Sequence, residues 1–160
     1  MQLTSQYFTY DKGKVIQALR YHFISRPEIK VMMILVNVFS IASAALFFFN
    51  IIPPLAFLMS SVLWFILMIT FWFLLPRMVY RKAATFKDRF RAILSDTAFR
   101  IENERGGRSW AWNEFSHLME SPNFFHLYFN SRSFFIVPKD AFGAEEEVQE
   151  ARSILKANIS

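Results

Sequence analysis

Residues 31–49 read VMMILVNVFSIASAALFFF and residues 55–75 read LAFLMSSVLWFILMITFWFLL, with no charged side chain in either stretch. Each stretch can cross a bilayer as a helix, because an α-helix rises about 1.5 Å per residue and the hydrocarbon is about 30 Å thick. A buried core helix is the soluble alternative, but a chain of 160 residues leaves too little other protein to bury two such stretches. We therefore predict two transmembrane helices.

A short, uncharged segment joins the two stretches, Asn50-Ile51-Ile52-Pro53-Pro54. Its prolines stop helix continuation, so a tight hairpin is expected. A cleaved signal peptide is the alternative for the first stretch. It is disfavoured because residues 1–30 are mostly polar and no small-residue cleavage site follows the stretch. Both helices should therefore remain in the mature protein.

Basic residues flank the hairpin on both sides. Those before it are Lys12, Lys14, Arg20, Arg26 and Lys30, and those after it are Arg77, Arg81, Lys82, Lys87, Arg89 and Arg91. Positive charge beside a span resists translocation, so both flanks are expected in the cytoplasm. The sequence thus predicts a two-pass protein of the inner (plasma) membrane with both termini cytoplasmic.

The positive charge is concentrated near the spans. Residues 1–91 contain eleven Lys/Arg and three Asp/Glu, whereas residues 92–160 contain seven and ten. These two groups of basic residues, the basic collars, either only set the membrane topology or also contact anionic lipids or a partner. The candidates for such a contact are Arg77, Arg81 and Lys82. Nucleic acid is not expected as a partner, because nucleic-acid binding would require a basic folded domain. The absence of cysteine excludes disulfides and thiol chemistry.

Residues 1–30 are predicted to form a strand and an amphipathic juxtamembrane helix. Gln2 to Thr9 alternates as a strand does, and from Asp11 onward the apolar residues recur at helical spacing. Because both termini are expected on one side of the membrane, we expect Gln2 to Thr9 to pair with the C-terminal sheet. The pair Ser25 and Glu28 fits a capping box at the start of the first span.

Small and polar residues predict how the two spans pack. Each stretch has a pair of small residues four positions apart, which are Ser40 and Ala44 in the first and Ala56 and Ser60 in the second. Small residues at this spacing allow the backbones of two helices to approach closely. Counting back from the turn places Ala44 opposite Ser60. Asn37 is the one strongly polar side chain well inside the bilayer, and it serves either as structural glue or in transport. The structural role, a hydrogen bond that holds helices together, is favoured because neither stretch contains an acidic or basic residue that could form an ion pathway.

The C-terminal part is predicted to be a sheet closed by a helix. Residues 76–90 should extend the second helix, and residues 91–160 should form a cytoplasmic sheet-plus-helix domain of about five antiparallel strands. Gly106 and Gly107 should supply the positive φ angles of a tight hairpin. Acidic residues open the last segment and basic residues close it, which favours a C-terminal amphipathic helix.

The predicted fold class is therefore an α+β membrane protein. It combines a two-helix transmembrane hairpin with a small antiparallel sheet that is packed by the C-terminal helix, since neither element could bury its apolar face alone. The arrangement is similar to a pleckstrin-homology (PH) type of half-barrel.

Three short, mostly hydrophobic motifs lie in the C-terminal part. They are a Trp-x-x-Phe step at residues 112–115, the run Phe-His-Leu-Tyr-Phe at residues 125–129 and a Val-Pro-Lys-x-x-Phe ending at residues 137–142. Together with the order of the segments, these motifs resemble the YcxB-like family of small bacterial membrane proteins. The resemblance spans nearly the whole chain and implies a fold rather than an activity.

No common catalytic signature is found in the sequence, which lacks a phosphate-binding glycine loop, a nucleophile elbow and a zinc-spaced histidine pair. His117 and His126 flank a turn, but only scattered carboxylates such as Glu120 lie near them, so ordinary polar positions are favoured over a metal site. Lys139 either helps to cap the turn after Pro138 or contacts a lipid phosphate or a partner carboxylate.

The sequence supports two hypotheses about function. The first is a membrane-anchored interaction or regulatory module, in which a small acidic domain at the inner membrane surface binds a protein partner or its own copies. The second is an accessory subunit of a larger membrane assembly, such as a transporter or secretion complex. An enzyme is not expected, because no catalytic constellation can be assembled, and neither is a cofactor or a metal.

Overall fold

Both ends of the chain contribute to the same folded unit. In the computed structural model, which describes residues 2–159, β1 (Gln2–Thr4) and β2 (Phe8–Thr9) both pair antiparallel with β3 (Arg89–Ser95). The predicted pairing of the N-terminal segment with the C-terminal sheet is therefore confirmed. The first of two compact units accordingly combines Met1–Ala18 with Ala83–Ser160, and the second is Leu19–Lys82.

The described part of the first unit contains two antiparallel sheets. One sheet has the order β1-β3-β4-β5, with β2 also on β3, and adds β4 (Ala98–Asn103) and β5 (Gly106–Ala111). The other sheet has the order β6-β7-β8, formed by His117–Glu120, Phe124–Tyr128 and Phe134–Pro138. The α+β class with antiparallel pairing is confirmed, but the expected single set of about five strands is wrong.

The division into two sheets has a local cause at Trp112. Trp110 lies on β5, but Trp112 begins a short 3₁₀ turn, Trp112–Glu114, that ends the strand. The Trp112 indole N–H donates to the Ser95 carbonyl at 2.9 Å, which holds the turn against the end of β3. The Glu114 carboxylate accepts the Ala111 amide N–H at 2.9 Å and stabilises the same turn.

An aromatic cluster connects the two sheets. Phe99 of β4 is fully buried, and Phe135 of β8 lies 6.3 Å from it and 4.9 Å from Trp110, measured between ring centroids. Phe115 and Phe129 stack at 4.7 Å beside them. Rings at these separations bury large apolar areas and add favourable ring–ring contacts, so the cluster forms the core between the sheets.

The C-terminal helix completes the first unit, together with the beginning of a helix whose later residues, from Leu19 on, belong to the second unit. The helix α1 (Lys12–Ser25) starts after β2 and buries Val15 and Ile16. The C-terminal helix α5 (Glu145–Asn158) buries one stripe, formed by Val148, Ala151 and Leu155. The spacing of this stripe is that of a single helix face, as the sequence indicated.

The second unit contains the two apolar stretches as helices. The helix α2 covers Pro27–Phe48, while α3 (Pro54–Ile69), a π-helical turn (Thr70–Leu74) and α4 (Leu75–Lys82) form a continuous second helix. Both are long and apolar enough to cross a membrane. Almost all of their side chains are exposed or half-buried, which is the opposite of a soluble core helix.

Asn50 closes the end of α2. Its backbone φ angle of 58° lies in the left-handed region. The Asn50 N–H donates to the Phe47 carbonyl at 3.0 Å, and the Ile51 N–H donates to the Leu46 carbonyl at 2.9 Å. This pair of bonds is a Schellman motif, in which asparagine is the commonest residue after glycine at the left-handed position. The turn therefore depends on Asn50 as well as on the two prolines.

Two local predictions are wrong. The helical extension does not reach residue 90, because α4 ends at Lys82, a 3₁₀ turn covers Ala84–Lys87 and β3 begins at Arg89. Pairing of Phe90 with Phe8 extends the strand toward the N-terminus. The capping box is also absent, since the Ser25 hydroxyl donates back to His22 O and Arg26 is the N-cap residue of α2 without a side-chain cap.

Candidate functional site

The two apolar helices meet at a pair of serines. The Ser60 hydroxyl donates to Phe57 O at 2.9 Å, so the Ser43 hydroxyl is the donor in the 2.6 Å contact between Ser43 Oγ and Ser60 Oγ. Ser43 is buried, whereas Ala44 is exposed. The expected position of Ala44 opposite Ser60 is therefore wrong by one residue. Of the other small residues that were predicted to pack between the two helices, Ser40 is half-buried and Ala56 is exposed.

Asn37 lies at the same interface, roughly two turns away. Its Oδ1 accepts the indole N–H of Trp64 at 3.2 Å, and its Nδ2 donates to Met33 O at 2.7 Å. Each end of the amide thus has a partner, one of them on α3. A polar side chain that is bonded to the facing helix inside an apolar interface holds helices together, and this geometry matches the structural interpretation of Asn37.

Arg20 binds the second apolar helix at its π-helical turn. Pro76 has no N–H, so the Trp72 carbonyl four residues earlier lacks its usual helical donor. The Arg20 Nε donates to this carbonyl at 2.8 Å, and its guanidinium lies 5.3 Å and 5.4 Å from the ring centroids of Trp72 and Phe73. In the sequence Arg20 is recognisable only as a charge that flanks the apolar stretch, yet in the structure it binds a specific backbone carbonyl.

The predicted basic collar follows this turn on α4. Arg77, Arg81 and Lys82 are all exposed, and none of them forms an ion pair with a described residue. The Arg77 guanidinium lies 5.9 Å from the Phe73 ring centroid. These three side chains present charge to the surroundings, as a contact to headgroups or to a partner would require.

Lys139 belongs to the first unit and has an internal partner. Its Nζ lies 2.6 Å from Glu120 Oε1, and Arg152 Nη2 lies 2.6 Å from the same oxygen. The three charged groups of this ion cluster come from β6, the turn after β8 and α5. Because the Lys139 side chain is only 18% exposed and its ammonium pairs with Glu120, its charge is used within the unit rather than presented to a lipid.

The ion cluster has a marked effect on Glu120. The hydrogen bonds from Arg152, followed by that from Lys139, lower the pKa of the Glu120 carboxyl to about 2, although partial burial opposes the change. At neutral pH the carboxylate is therefore fully ionised and fixes α5 to the second sheet. The sequence contained no signal for this contact, because its three members are far apart in the chain.

A groove lies beside the β4–β5 hairpin and has a volume of about 350 Å³. Its floor is apolar and aromatic, whereas Arg105 and Arg108 provide positive charge. The full lining is Thr85, Phe90, Ile101, Asn103, Arg105, Gly106, Gly107, Arg108, Trp110 and Phe135. No Asp or Glu is among these residues. The Arg-Gly-Gly-Arg segment predicts only a turn from its sequence, so nothing in the sequence indicates this groove.

The two glycines of the hairpin have different roles. Gly106 has a φ of 144°, a backbone region that side chains avoid, so only this glycine supplies the predicted positive angle. Gly107 makes room instead, because a Cβ there would lie 2.8 Å from the Glu102 Cγ and 3.1 Å from the Arg100 Nη2. Glu102 binds Arg91 and Arg100 at 2.7 Å each, and both contacts lower the pKa of its carboxyl.

The histidines occupy ordinary positions. His117 is exposed and stacks on Tyr128 at 4.2 Å, while His126 is buried with Nε2 2.9 Å from Ser121 Oγ. Strand pairing places His117 opposite Tyr128 and Met119 opposite His126, so the two histidines are not direct neighbours. Within residues 2–159, no group of three or more His, Asp or Glu side chains could hold a metal ion.

The first unit is electrically balanced. Residues 1–18 and 83–160 together contain twelve Lys/Arg and twelve Asp/Glu, whereas residues 19–82 contain six and one. The expectation of an acidic domain is therefore wrong, because it left out residues 83–91 and the N-terminal segment. The net charge of +5 resides on the unit with the apolar helices.

Comparison with known families identifies the C-terminal part of the chain. A family model described as YcxB-like protein matches residues 94–155, and the predicted family resemblance is confirmed for this segment. The matched residues include β4 to β8, the ion cluster and most of α5. Neither the curated proteins nor the solved structures contain a match to the chain.

Proposed function

We propose that this chain, which carries a YcxB-like domain, is a two-pass inner-membrane protein that presents a small cytoplasmic interaction or regulatory domain at the membrane surface. The observation that carries the proposal is the pair of long apolar helices with exposed side chains. Side chains such as Ile34, Phe39 and Leu58 are 57–62% exposed. A lipid environment removes the cost of exposing such surfaces to water.

Strand pairing supports an even number of crossings. β1 and β2 precede both apolar helices in the chain and β3 follows them, yet these strands pair with one another. If the helices span a bilayer, the N-terminal and C-terminal segments must lie on the same side of it. The surplus of five positive charges on residues 19–82 favours the cytoplasmic side.

We further propose that the folded unit is an interaction domain. Two small antiparallel sheets share an aromatic core and α5 adds a buried stripe, an arrangement similar to a PH-like half-barrel. No catalytic activity is proposed for it. We propose that it binds a protein partner or a second copy of this chain, and that the exposed Arg77, Arg81 and Lys82 contact anionic lipids beside the span.

Membrane topology can be tested with single cysteines, because the natural chain has none. The variants Ile52→Cys and Lys156→Cys place one thiol in the hairpin turn and one on α5. In intact cells, a membrane-impermeant maleimide should label position 52 and should label position 156 only after the inner membrane is opened. Labelling of both positions in intact cells, or release of the protein by alkaline carbonate, would refute the two-pass proposal.

The interaction role can be tested by mass measurement after extraction in a mild detergent. A monomer or homo-oligomer with reversible partners supports a module that acts by itself. A fixed complex with other membrane subunits would instead support the accessory-subunit hypothesis. Flotation of an Arg77→Gln/Arg81→Gln/Lys82→Gln variant with anionic and neutral liposomes tests the collar, because unchanged binding would exclude a lipid role for it.

A further inference from the structure

We propose that the groove beside the β4–β5 hairpin binds the headgroup of an anionic phospholipid. This site deepens the proposed membrane function and rests on it. The groove combines two requirements of such a ligand, which are positive charge for the phosphate and an apolar surface for the glycerol and the first acyl carbons. Arg105 and Arg108 supply the first, and Phe90, Ile101 and Trp110 supply part of the second.

The two arginines are available for an anion. Neither Arg105 nor Arg108 forms an ion pair within residues 2–159, whereas Arg91, Arg100 and Arg152 are all bound to carboxylates. The Arg108 guanidinium lies 5.2 Å from the Trp110 ring centroid, which fixes its position without neutralising its charge. Guanidinium groups bind phosphate oxygens through paired hydrogen bonds, so these arginines suit a phosphodiester.

The ring cluster gives the groove a firm floor. Trp110 is held by Phe135 at 4.9 Å and by Phe129 at 5.9 Å, and Phe90 and Ile101 are buried beneath the rim. The floor is therefore present before any ligand binds, which lowers the ordering cost of binding. The tight turn is equally fixed, because Asn103 Oδ1 accepts the Arg105 amide N–H at 2.9 Å.

Chain connectivity favours a lipid over a soluble phosphate. Thr85 lines the groove and follows Lys82, the last residue of the apolar helix, by only three residues. Three residues span at most about 11 Å even when fully extended, which is comparable to the thickness of a headgroup layer. If α3 and α4 span the bilayer, the groove is tethered within reach of the headgroups. Because the first unit as a whole has no net charge, a local basic site such as this groove would supply the unit's own attraction to anionic headgroups, in addition to that of the basic residues on α4.

The test uses the full chain in neutral-detergent micelles, with Glu104→Cys labelled by an environment-sensitive fluorophore. Glu104 lies at the tip of the β4–β5 turn, outside the groove lining. Titration with dioctanoyl phosphatidylglycerol should give a saturable fluorescence change. The same addition of dioctanoyl phosphatidylcholine or of soluble glycerol phosphate should give little change. An equal response to glycerol phosphate would overturn the lipid assignment, and an equal response to the neutral lipid would overturn the anionic one.

Variants identify the residues. Arg105→Gln/Arg108→Gln should weaken binding of the anionic lipid roughly thirtyfold, since each juxtamembrane arginine contributes about 1 kcal/mol. Arg105→Lys/Arg108→Lys keeps the charge but loses the paired hydrogen bonds, so it should bind the lipid more weakly than the natural chain and more tightly than the glutamine variant. This order separates loss of charge from misfolding. Arg132→Gln/Lys156→Gln removes the same charge elsewhere and should bind normally. Equal loss in this control variant would overturn the site. Carbonate extraction of cell membranes that contain the same variants, before any detergent is added, tests membrane anchoring separately.

Discussion

Replacement of Glu120 by glutamine tests whether the ion cluster holds α5 on the second sheet. Glutamine keeps the shape of the side chain and one acceptor oxygen but removes the negative charge. Lys139 and Arg152 would then both lie beside a neutral amide, having each been within 2.6 Å of a carboxylate oxygen. We expect Glu120→Gln to fold and to be less stable than the natural chain at neutral pH.

The size of the effect follows from the pKa of Glu120. A fall from 4.5 to about 2 corresponds to at most about 3.4 kcal/mol, because one pKa unit equals about 1.36 kcal/mol. The Glu120 side chain is 28% exposed, and solvent screening of such a pair reduces this limit by about half. The expected loss in the free energy of unfolding is therefore about 1.5 to 2 kcal/mol.

The pH dependence has a definite sign. A carboxyl whose pKa is lowered by folding stabilises the native state above its unfolded pKa, and this contribution disappears as the pH falls through the folded pKa. For Glu120 this stabilising contribution is lost as the pH falls from about 4.5 to about 2. The stability difference between the natural chain and Glu120→Gln should thus be largest at neutral pH and should nearly vanish at about pH 2.

Urea unfolding of the full chain in neutral-detergent micelles provides the measurement. Trp110 and Trp112 report on the first unit by fluorescence, and the difference between two variants cancels the other titrating groups. Glu150→Gln is the matched control, because Glu150 lies on α5 without an ion pair in the described structure. A stability difference that stays constant from neutral pH to about pH 2, or one that the control reproduces, would refute the role assigned to Glu120.

Substitutions at three other places test further contacts of the fold. Ser5→Ala should cost about 1 to 3 kcal/mol in the same urea assay, because the buried Ala92 N–H loses the Ser5 Oγ acceptor at 2.9 Å. The stability of Ser43→Ala, Ser60→Ala and the double variant can be measured by titration with a denaturing detergent. The two substitutions should show a coupling energy of about 0.6 kcal/mol, and strict additivity of their effects on stability would contradict the contact between the two serines. Asn50→Val should destabilise the hairpin by roughly 1 to 2 kcal/mol and Asn50→Gly should not, since the left-handed angle penalises only the branched side chain.

The sequence predicted most reliably what depends on long runs of residues. The two apolar helices follow from hydropathy alone, and the pairing of Gln2–Thr9 with the C-terminal sheet follows from the expectation that both ends lie on one side of a bilayer. Single positions were less predictable. The residue that contacts Ser60 across the helix interface is Ser43 and not the predicted Ala44. Counting back from the turn does not take account of the extra bonds around Asn50.

The candidate sites depended on contacts that no local pattern encodes. Lys139 had a visible motif, but its partner Glu120 lies on another strand, and only the folded chain shows that the charge is already used. The groove was missed for the same reason. Its arginines belong to a turn motif, and its floor brings Phe90 together with Phe135 from distant parts of the chain. Spacing in a single sequence cannot report such convergence.

If the two apolar helices span a bilayer as proposed, the position of β3 in the fold would link their insertion to folding of the domain. β3 pairs with β1, β2 and β4, so it is the strand on which the first sheet is assembled. β1 and β2 are synthesised before both apolar helices, and their contacts with β3 include a hydrogen bond between residues 87 positions apart. Closing so long a loop in a free chain is slow and entropically costly. A hairpin held across a bilayer by its tight turn would return the chain to its starting side and shorten the search, so the two-helix hairpin would act as a folding template for the domain as well as its anchor.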